Sequence, residues 1–362
     1  MRNEKVQILK KRGKSVIALG VAATMIFALS ACGSSSDSSS DSSSAAAESS
    51  SDSDTITITN VSYDPTRELY EAFNSLFAEY YEEETGQAVE IVQSHGGSGS
   101  QARSVIEGAE ADVVTLALEH DITLIEEAGL IEEGWIDEFD LDSSPYTSTI
   151  VFLVRADNPK GIEDWDDLLA DGVEIINPDP KSSGGACWNF LAAWHYADLT
   201  YDGDEDQIKQ FMTDLYANVT VMDSGARAAT TTFVENGQGD VLIAWENEAI
   251  ATVEEYPDEY EIISPSISIL AQPSVAIVDE NADANGTQEV AAAYLEYLYT
   301  DEAQELIGEY GYRPSNEDIL AEYSDKFDLD MTLCSIEDFG GWDAAYETYF
   351  NDGAIFDEIY NQ

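Results

Sequence analysis

Four times along this chain an apolar, β-branched run stops at a turn of small or capping residues and passes into helical periodicity. TITITNVSY runs into Asp64-Pro65, AVEIVQS into HGGSGSQ, EIINP into the turn ending Ser183-Gly184-Gly185, and TVMD into Ser224-Gly225-Ala226. Strand–helix alternation with such short connections demands an α/β fold with mainly parallel sheets and helices on their faces. Ligands in such sheets bind beyond the carboxyl ends of the strands, where the helices begin. At 362 residues the chain is long enough for two lobes. TSTIVFLVR, Thr147 to Arg155, reads as one long strand that carries the chain into the second lobe, and SVAIVD, Ser274 to Asp279, as the return.

The turns themselves carry the chemistry. Asp64 reads as an N-cap with Pro65 at the first helical position, ahead of an apolar face made by Leu69, Phe73, Leu76, Phe77 and Tyr80. Ser183 reads as the cap of a helix whose first turn holds two glycines, each costing roughly 1 kcal/mol relative to alanine. That cost is expected where something must approach bare backbone N–H groups, and a helix start of this kind favours an anion. Trp245, at the end of VLIAW, adds an indole N–H that can only donate. A pocket made of donors suits an anion with no proton of its own, such as sulfate. Phosphate keeps a proton near neutral pH, and leaving it without an acceptor costs roughly 1–3 kcal/mol, a factor of about ten in affinity. The Asp64 carboxylate is the exception, and capping its own helix would occupy it.

The chain opens with six basic residues among its first 14 and an apolar run from Ser15 to Ala31 that ends Leu29-Ser30-Ala31-Cys32. The charged, apolar and small-residue parts are those of a secretory signal. The ending resembles a bacterial lipobox, which implies cleavage before Cys32 and a lipid on its sulfur. Residues 33–54 are Ser, Asp, Ala, Glu and Gly, too polar to order themselves, and read as a flexible tether. Fifteen Lys+Arg against 73 Asp+Glu exclude a nucleic-acid partner, which needs concentrated positive charge. Removing residues 1–31 leaves a formal charge of −63.

SYDPTRELYEAFN, QSHGGSGSQA, EADVVTLAL, SPYTSTIVFLVR, PKSSGGACWN, DSGARAATTTFVE, GDVLIAWENEA and the late FGGW together resemble the periplasmic sulfate/thiosulfate-binding proteins, the substrate receptors of ABC importers. The likeness runs in order from Thr55 to about Phe356. It implies a two-lobed, type II solute-binding fold that closes on one sulfate or thiosulfate without a cofactor or metal. It also implies ligation by the backbone N–H groups of Asp64, Ser98, Gly184, Gly185 and Ala226, the Ser183 hydroxyl and the Trp245 indole. The implied protein is a monomer held by its lipid at the outer face of the cytoplasmic membrane, delivering to a permease and its ATPase. Expected boundaries are a signal peptide at 1–31, the lipidated Cys32 and tether to 54, lobe I at 55–150 plus 272–314, lobe II at 151–271, and a helical tail at 315–362 of unassigned lobe. Receptors for phosphate or molybdate, and an anion sensor without a transporter, are the alternatives. This chain departs from the family in its lipobox, its acidity and Cys187, where the family carries arginine.

Once Cys32 is lipidated, Cys187 and Cys334 remain, an even pair that invites a disulfide outside the cytoplasm. His95 reads as a helix-start or packing residue. His120 and His195 lack the ligand spacing of a zinc site. Ser183 lies in no GxSxG motif, and neither a Walker motif nor a Rossmann fingerprint is present, so no enzyme is expected. Trp135, Trp165 and Trp342 read as packing.

Overall fold

The computed structural model describes residues 55–360; the expected signal peptide, Cys32 and the tether lie outside the described residues. The first sheet joins β1 (Ile56–Tyr63), β2 (Val89–Gly96), β3 (Val113–Leu116) and the returning β9 (Ser274–Ile277) in the order β9-β3-β1-β2. β1 pairs parallel with β2 and β3, while β9 runs antiparallel to β3. The second sheet holds β4 (Ile150–Arg155), β5 (Ile175–Pro178), β6 (Val219–Asp223), β7 (Val241–Trp245) and β8 (Tyr260–Ile263) in the order β6-β5-β7-β4-β8. β5 is parallel to β6 and β7, but β4 is antiparallel to both β7 and β8. The antiparallel pairs arise where the chain crosses between the sheets, at β4 and β9.

The period-2 alternation of side chains explains how each sheet is covered twice. In the first sheet Ile58, Val113, Val275 and Ile277 join a cluster with Phe73, Phe77 and Tyr294, whereas Val61, Val114, Leu116 and Ala276 join Ala102, Val105 and Ile122 on the other face. In the second, Phe152, Val154, Ile175, Val241 and Ile243 lie against Trp165, Trp188 and Leu191; Val151, Leu153, Ile176, Leu242 and Ala244 lie against Ala229 and Phe233.

The connecting helices are α1 (Arg67–Thr85), α2 (Ser98–Ile106), α3 (Glu119–Glu127), α4 (Gly184–Thr200), α5 (Ala226–Val234) and α6 (Glu246–Glu255). In α1 the expected Leu69, Phe73 and Phe77 are buried and Leu76 partly so, but Tyr70 and Tyr81 complete the buried stripe and Tyr80 is exposed. Helix α4 is buried on every side from Gly184 to Trp194, as expected of a helix covered on more than one face. One cover is the tail. Trp342 meets Trp188 edge-on at 4.6 Å, and Phe350 and Phe356 stand against Phe190 at 5.4 and 6.0 Å.

Three expectations are corrected. TSTIVFLVR is not one strand: Tyr146–Thr147 pairs with Arg313–Pro314, and the run resumes at Ile150. Between them Ser148 exchanges two backbone hydrogen bonds with Ala271, and Thr149 Oγ1 donates to the Ile269 carbonyl. The outgoing and returning crossings are thus tied to each other. Asp64 does not cap α1; Tyr63 holds the extended N-cap position of a 3₁₀ turn, Asp64–Thr66, and the α-helix begins at Arg67. Pro65, with its fixed φ, favours this tighter entry. The expected disulfide is absent, Cys187 and Cys334 both being free and buried. The Cys187 thiol is directed to the Pro180 carbonyl at 3.4 Å, and Cys334 sits in a short strand, Thr332–Cys334, paired with Ile267–Ile269.

A disulfide typically adds about 2–4 kcal/mol. Calorimetry with and without reductant should therefore give the same Tm, and thiol labelling of Cys187 and Cys334 should require unfolding.

Candidate functional site

Strands of both sheets end at one small pocket. From the first sheet, β1 delivers Tyr63, Asp64 and Pro65, and β2 delivers Gly96, Gly97 and Ser98; from the second come Ser183, Gly185 and Ala226. Each turn is locked by its own residues. Thr66 Oγ1 donates to the Tyr63 carbonyl at 2.7 Å and lies 2.6 Å from Ser62 Oγ. Ser98 Oγ donates to Asp121 and accepts from the Ala117 N–H at 3.0 Å. The Ser182 and Ser183 N–H groups donate to the Asp179 carbonyl, and Ser182 Oγ donates to the Ser224 carbonyl at 3.0 Å, joining the two turns of the second sheet.

Helices α2, α4 and α5 thus begin at the pocket with Gly97, Ser183 and Gly225 as extended N-caps, none of them making a side-chain capping bond. The N–H groups of a first turn have no acceptor within their helix. They aim partial positive charge at the pocket, worth about 0.3–1 kcal/mol per helix start toward a nearby anion. Gly97 is required by proximity: a Cβ there would stand 2.5 Å from the Ser182 carbonyl oxygen and 3.0 Å from that of Ser224, across the pocket. At Gly185 the added carbon would meet Trp245 Nε1 at 2.5 Å.

Of the seven expected site residues, Asp64, Ser98, Ser183, Gly185 and Ala226 line the pocket. Gly184 packs behind Ser98, and Trp245 stands against Gly185. The Trp245 indole N–H is buried without a hydrogen-bond partner. Its ring packs on Tyr63 at 5.4 Å, and the next residue, Glu246, anchors the backbone through a buried two-point pair with Arg313 at 2.6 and 2.8 Å. Sequence reasoning missed Tyr63, Pro65, Gly96 and Gly97 as pocket walls, although the Gly-Gly pair before Ser98 carried the signal.

No cation is turned toward the pocket among the described residues. Lys181 reaches the Phe350 and Asn351 carbonyls and Asp357 in the tail, at 2.8, 3.2 and 3.0 Å. Arg227 binds Glu68 with two hydrogen bonds, 2.8 and 2.6 Å, and Glu248 at 2.9 Å, so it ties α5 to α1. Arg103 bonds Ser100, and Arg67 lies 3.9 Å from Asp64. Burial raises the Asp64 carboxyl above its ordinary range, with Arg67 and Arg227 opposing; its Oδ2 abuts Gly225 from across the pocket. Since it makes no capping bond, the carboxylate is not occupied in the way foreseen from the sequence.

His95, beside Tyr63, is pushed by burial down to about 4 and stays neutral at physiological pH. His120 stacks on Tyr346 at 3.7 Å, and the described residues hold no metal-binding cluster. A much larger groove, about 520 Å³ against about 10 Å³, lies outside Arg227. Glu68, Glu235, Glu248, Glu254, Glu255 and Glu309 line it. Its carboxylates would repel an anion, so size does not make it the site for one.

Two α/β sheets meeting at a pocket ringed by helix starts form the kind of anion-binding cleft that a solute receptor uses. A family model, "Bacterial extracellular solute-binding protein", matches residues 66–313. The sulfate-binding protein of Escherichia coli is 53% identical over 301 residues, spanning 83% of this chain and 92% of that one. The thiosulfate-binding protein of Pseudomonas aeruginosa is 43% identical, spanning 83% and 91%. The structure of the sulfate-binding protein SubI from Mycobacterium tuberculosis superposes with a TM-score of 0.74 at 33% identity, over 82% of this chain and all of that one. The chain belongs to the bacterial extracellular solute-binding proteins, in the branch of the sulfate- and thiosulfate-binding proteins. It is an extracytoplasmic binding protein of the ABC-importer type.

Because Gly97 touches the opposite turns through bare backbone, Gly97→Ala should leave both sheets folded yet oppose their close approach. The expected loss of oxyanion affinity in calorimetry is about 1–3 kcal/mol, with an unchanged urea midpoint in the absence of ligand.

Proposed function

We propose that this receptor captures sulfate, and thiosulfate as a second ligand, through neutral donors. These are the N–H groups of Asp64, Ser98, Gly184, Gly185 and Ala226, the Ser183 hydroxyl and the Trp245 indole. The observation that carries the reading is Trp245 Nε1: a buried donor left without a partner costs roughly 1–3 kcal/mol, and an anion in the adjoining pocket would remove that cost. The names of the relatives support sulfate and thiosulfate as the class of guest. The lobes are proposed as 55–150 with 272–314, and 151–271, with the tail riding on the second. The paired crossings at Ser148 and Ala271 then form the hinge. Ligand binding favours the closed state by its greater affinity for it, and Arg227–Glu68 adds a contact made between α5 and α1. Lipidation at Cys32 would hold the receptor at the outer membrane face, where it hands its cargo to a permease and its ATPase.

Thermal-shift screening against sulfate, thiosulfate, phosphate and molybdate tests the guest. Sulfate and thiosulfate should raise Tm; stabilisation by phosphate or molybdate in their place would displace the reading. In calorimetry, Trp245→Phe should weaken sulfate binding by about 1.5–3 kcal/mol, the worth of a hydrogen bond to a charged group. Unchanged affinity would remove the indole from the site.

A further inference from the structure

Asp121, in the first turn of α3, is 1% exposed and accepts a hydrogen bond from Ser98, a residue of the pocket wall. Ser98 Oγ in turn receives the Ala117 N–H, so the carboxylate fixes the start of α2 against the end of β3. A buried carboxylate normally has a cationic partner. Asp121 makes no ion pair among the described residues. The groups around it are few. Helix α2 contributes Arg103, whose guanidinium is bonded to Ser100; α4 contributes the Cys187 thiol, and the tail contributes Tyr346. On its own helix are Glu119 and His120, with Asp343 of the tail beyond His120. Strands β3 and β9, also packed on α3, bear no ionisable side chain. Cys187 and Tyr346 are neutral, burial driving both of them upward.

We propose that Asp121 is a positioning residue of the anion pocket that also makes capture proton-linked: the dianion enters together with a proton taken up by the Asp121 carboxyl. The inference rests on the reading of this pocket as a sulfate site. Two negative charges arriving beside Ser98 stand one hydrogen-bonded residue away from a carboxylate that has no ion-pair partner among the described residues, in a region largely closed to water. Their repulsion is relieved when the carboxylate becomes a carboxylic acid, which keeps the bond to Ser98 by donating to Oγ or accepting through its second oxygen. Burial already raises this group to about 6, against the smaller lowering effects of Ser98 and Arg103. The guest must raise it further. The sign comes from linkage: sulfate binds the protonated form more tightly, so affinity falls as pH climbs through the titration of the free protein and levels off above that of the complex. An upward move of one pH unit corresponds to a tenfold span in affinity. Sulfate does not titrate between pH 5 and 8, and His95 lies below that range, which leaves the carboxyls of Asp121 and Asp64 and the His120 ring as the groups near the pocket that could take the proton.

Sulfate calorimetry from pH 5 to 8, in pairs of buffers with different ionisation heats, tests this directly. The unaltered protein should take up a fraction of a proton on binding and lose about tenfold in affinity across the range. Asp121→Asn, which keeps an acceptor for Ser98, should bind with no uptake and a flat profile, while His120→Gln should keep both effects. Proton uptake that persists in Asp121→Asn would assign the linkage to another group, such as Asp64, and overturn the proposal. Binding without uptake in the unaltered protein would overturn it while leaving the sulfate reading intact; absence of sulfate binding at every pH would remove both. The carboxyl carbon-13 resonance of Asp121 gives the same answer without a substitution. Its midpoint should rise when sulfate is added, and an unmoved midpoint overturns the proposal.

Discussion

Everything at the pocket depends on backbone N–H groups that the helices cannot satisfy themselves. A helix leaves its first turn of donors unpaired, and most proteins cover them with a capping side chain or water. Here the caps at Gly97, Ser183 and Gly225 make no such bond, so the donors of three helices remain directed at one small space. The glycines are the steric condition for this. Removing the side chain at Gly97 lets the first sheet's loop touch the Ser182 and Ser224 carbonyls, and removing it at Gly185 lets Trp245 reach the pocket wall. The helix-propensity penalty of those residues is offset where the backbone itself is the binding surface.

The fate of the cations is the complement of that arrangement. Lys181 and Arg227 are close in sequence to the second sheet's helix starts, yet one is committed to the tail and the other to Glu68 and Glu248. A lysine or arginine inside the pocket would bind an oxyanion of any protonation state with little discrimination. Fixed N–H dipoles act over a short range and favour a guest whose oxygens can all accept. The committed cations still work mechanically. Arg227 joins α5 to α1, and Lys181 fastens the tail to the loop that leads into Ser183. The dense acidity of the chain lies outside this shell, where salt screens it within about 8–10 Å.

Much of this was legible in the sequence because it is local. A β-branched run that meets Ser-Gly-Gly or Asp-Pro specifies a strand end and a helix start within a few residues, and all seven expected site positions belong to such junctions or, for Trp245, to the end of a strand. Strand–helix alternation likewise gave the sheets with helices on their faces. What escaped depended on contacts distant in the chain. Ser148 pairs with Ala271, and that contact breaks the run TSTIVFLVR in a way no periodicity records. The capping role assigned to Asp64 failed because Tyr63 already supplies the extended residue and Pro65 favours a 3₁₀ entry. The cysteine count suggested a bridge, but a count carries no geometry: Cys187 faces Pro180 within the helix start, and Cys334 is fixed by pairing with Ile269.

The tail, hardest to place from the sequence, connects these features. Its aromatic residues cover α4 through Trp188 and Phe190, its carbonyls at Phe350 and Asn351 hold Lys181, and Tyr346 lies against both His120 on α3 and the Cys187 thiol on α4. It therefore bears on both halves of the pocket from behind. Position 187 is where the resembled family carries arginine; in this chain a neutral thiol occupies it, next to a buried Asp121 with no cation in contact. Aromatic packing can replace the volume of an arginine but not its charge. The helix starts remain held in place, and under the proposed linkage a proton taken up by Asp121 would supply the charge balance behind Ser98.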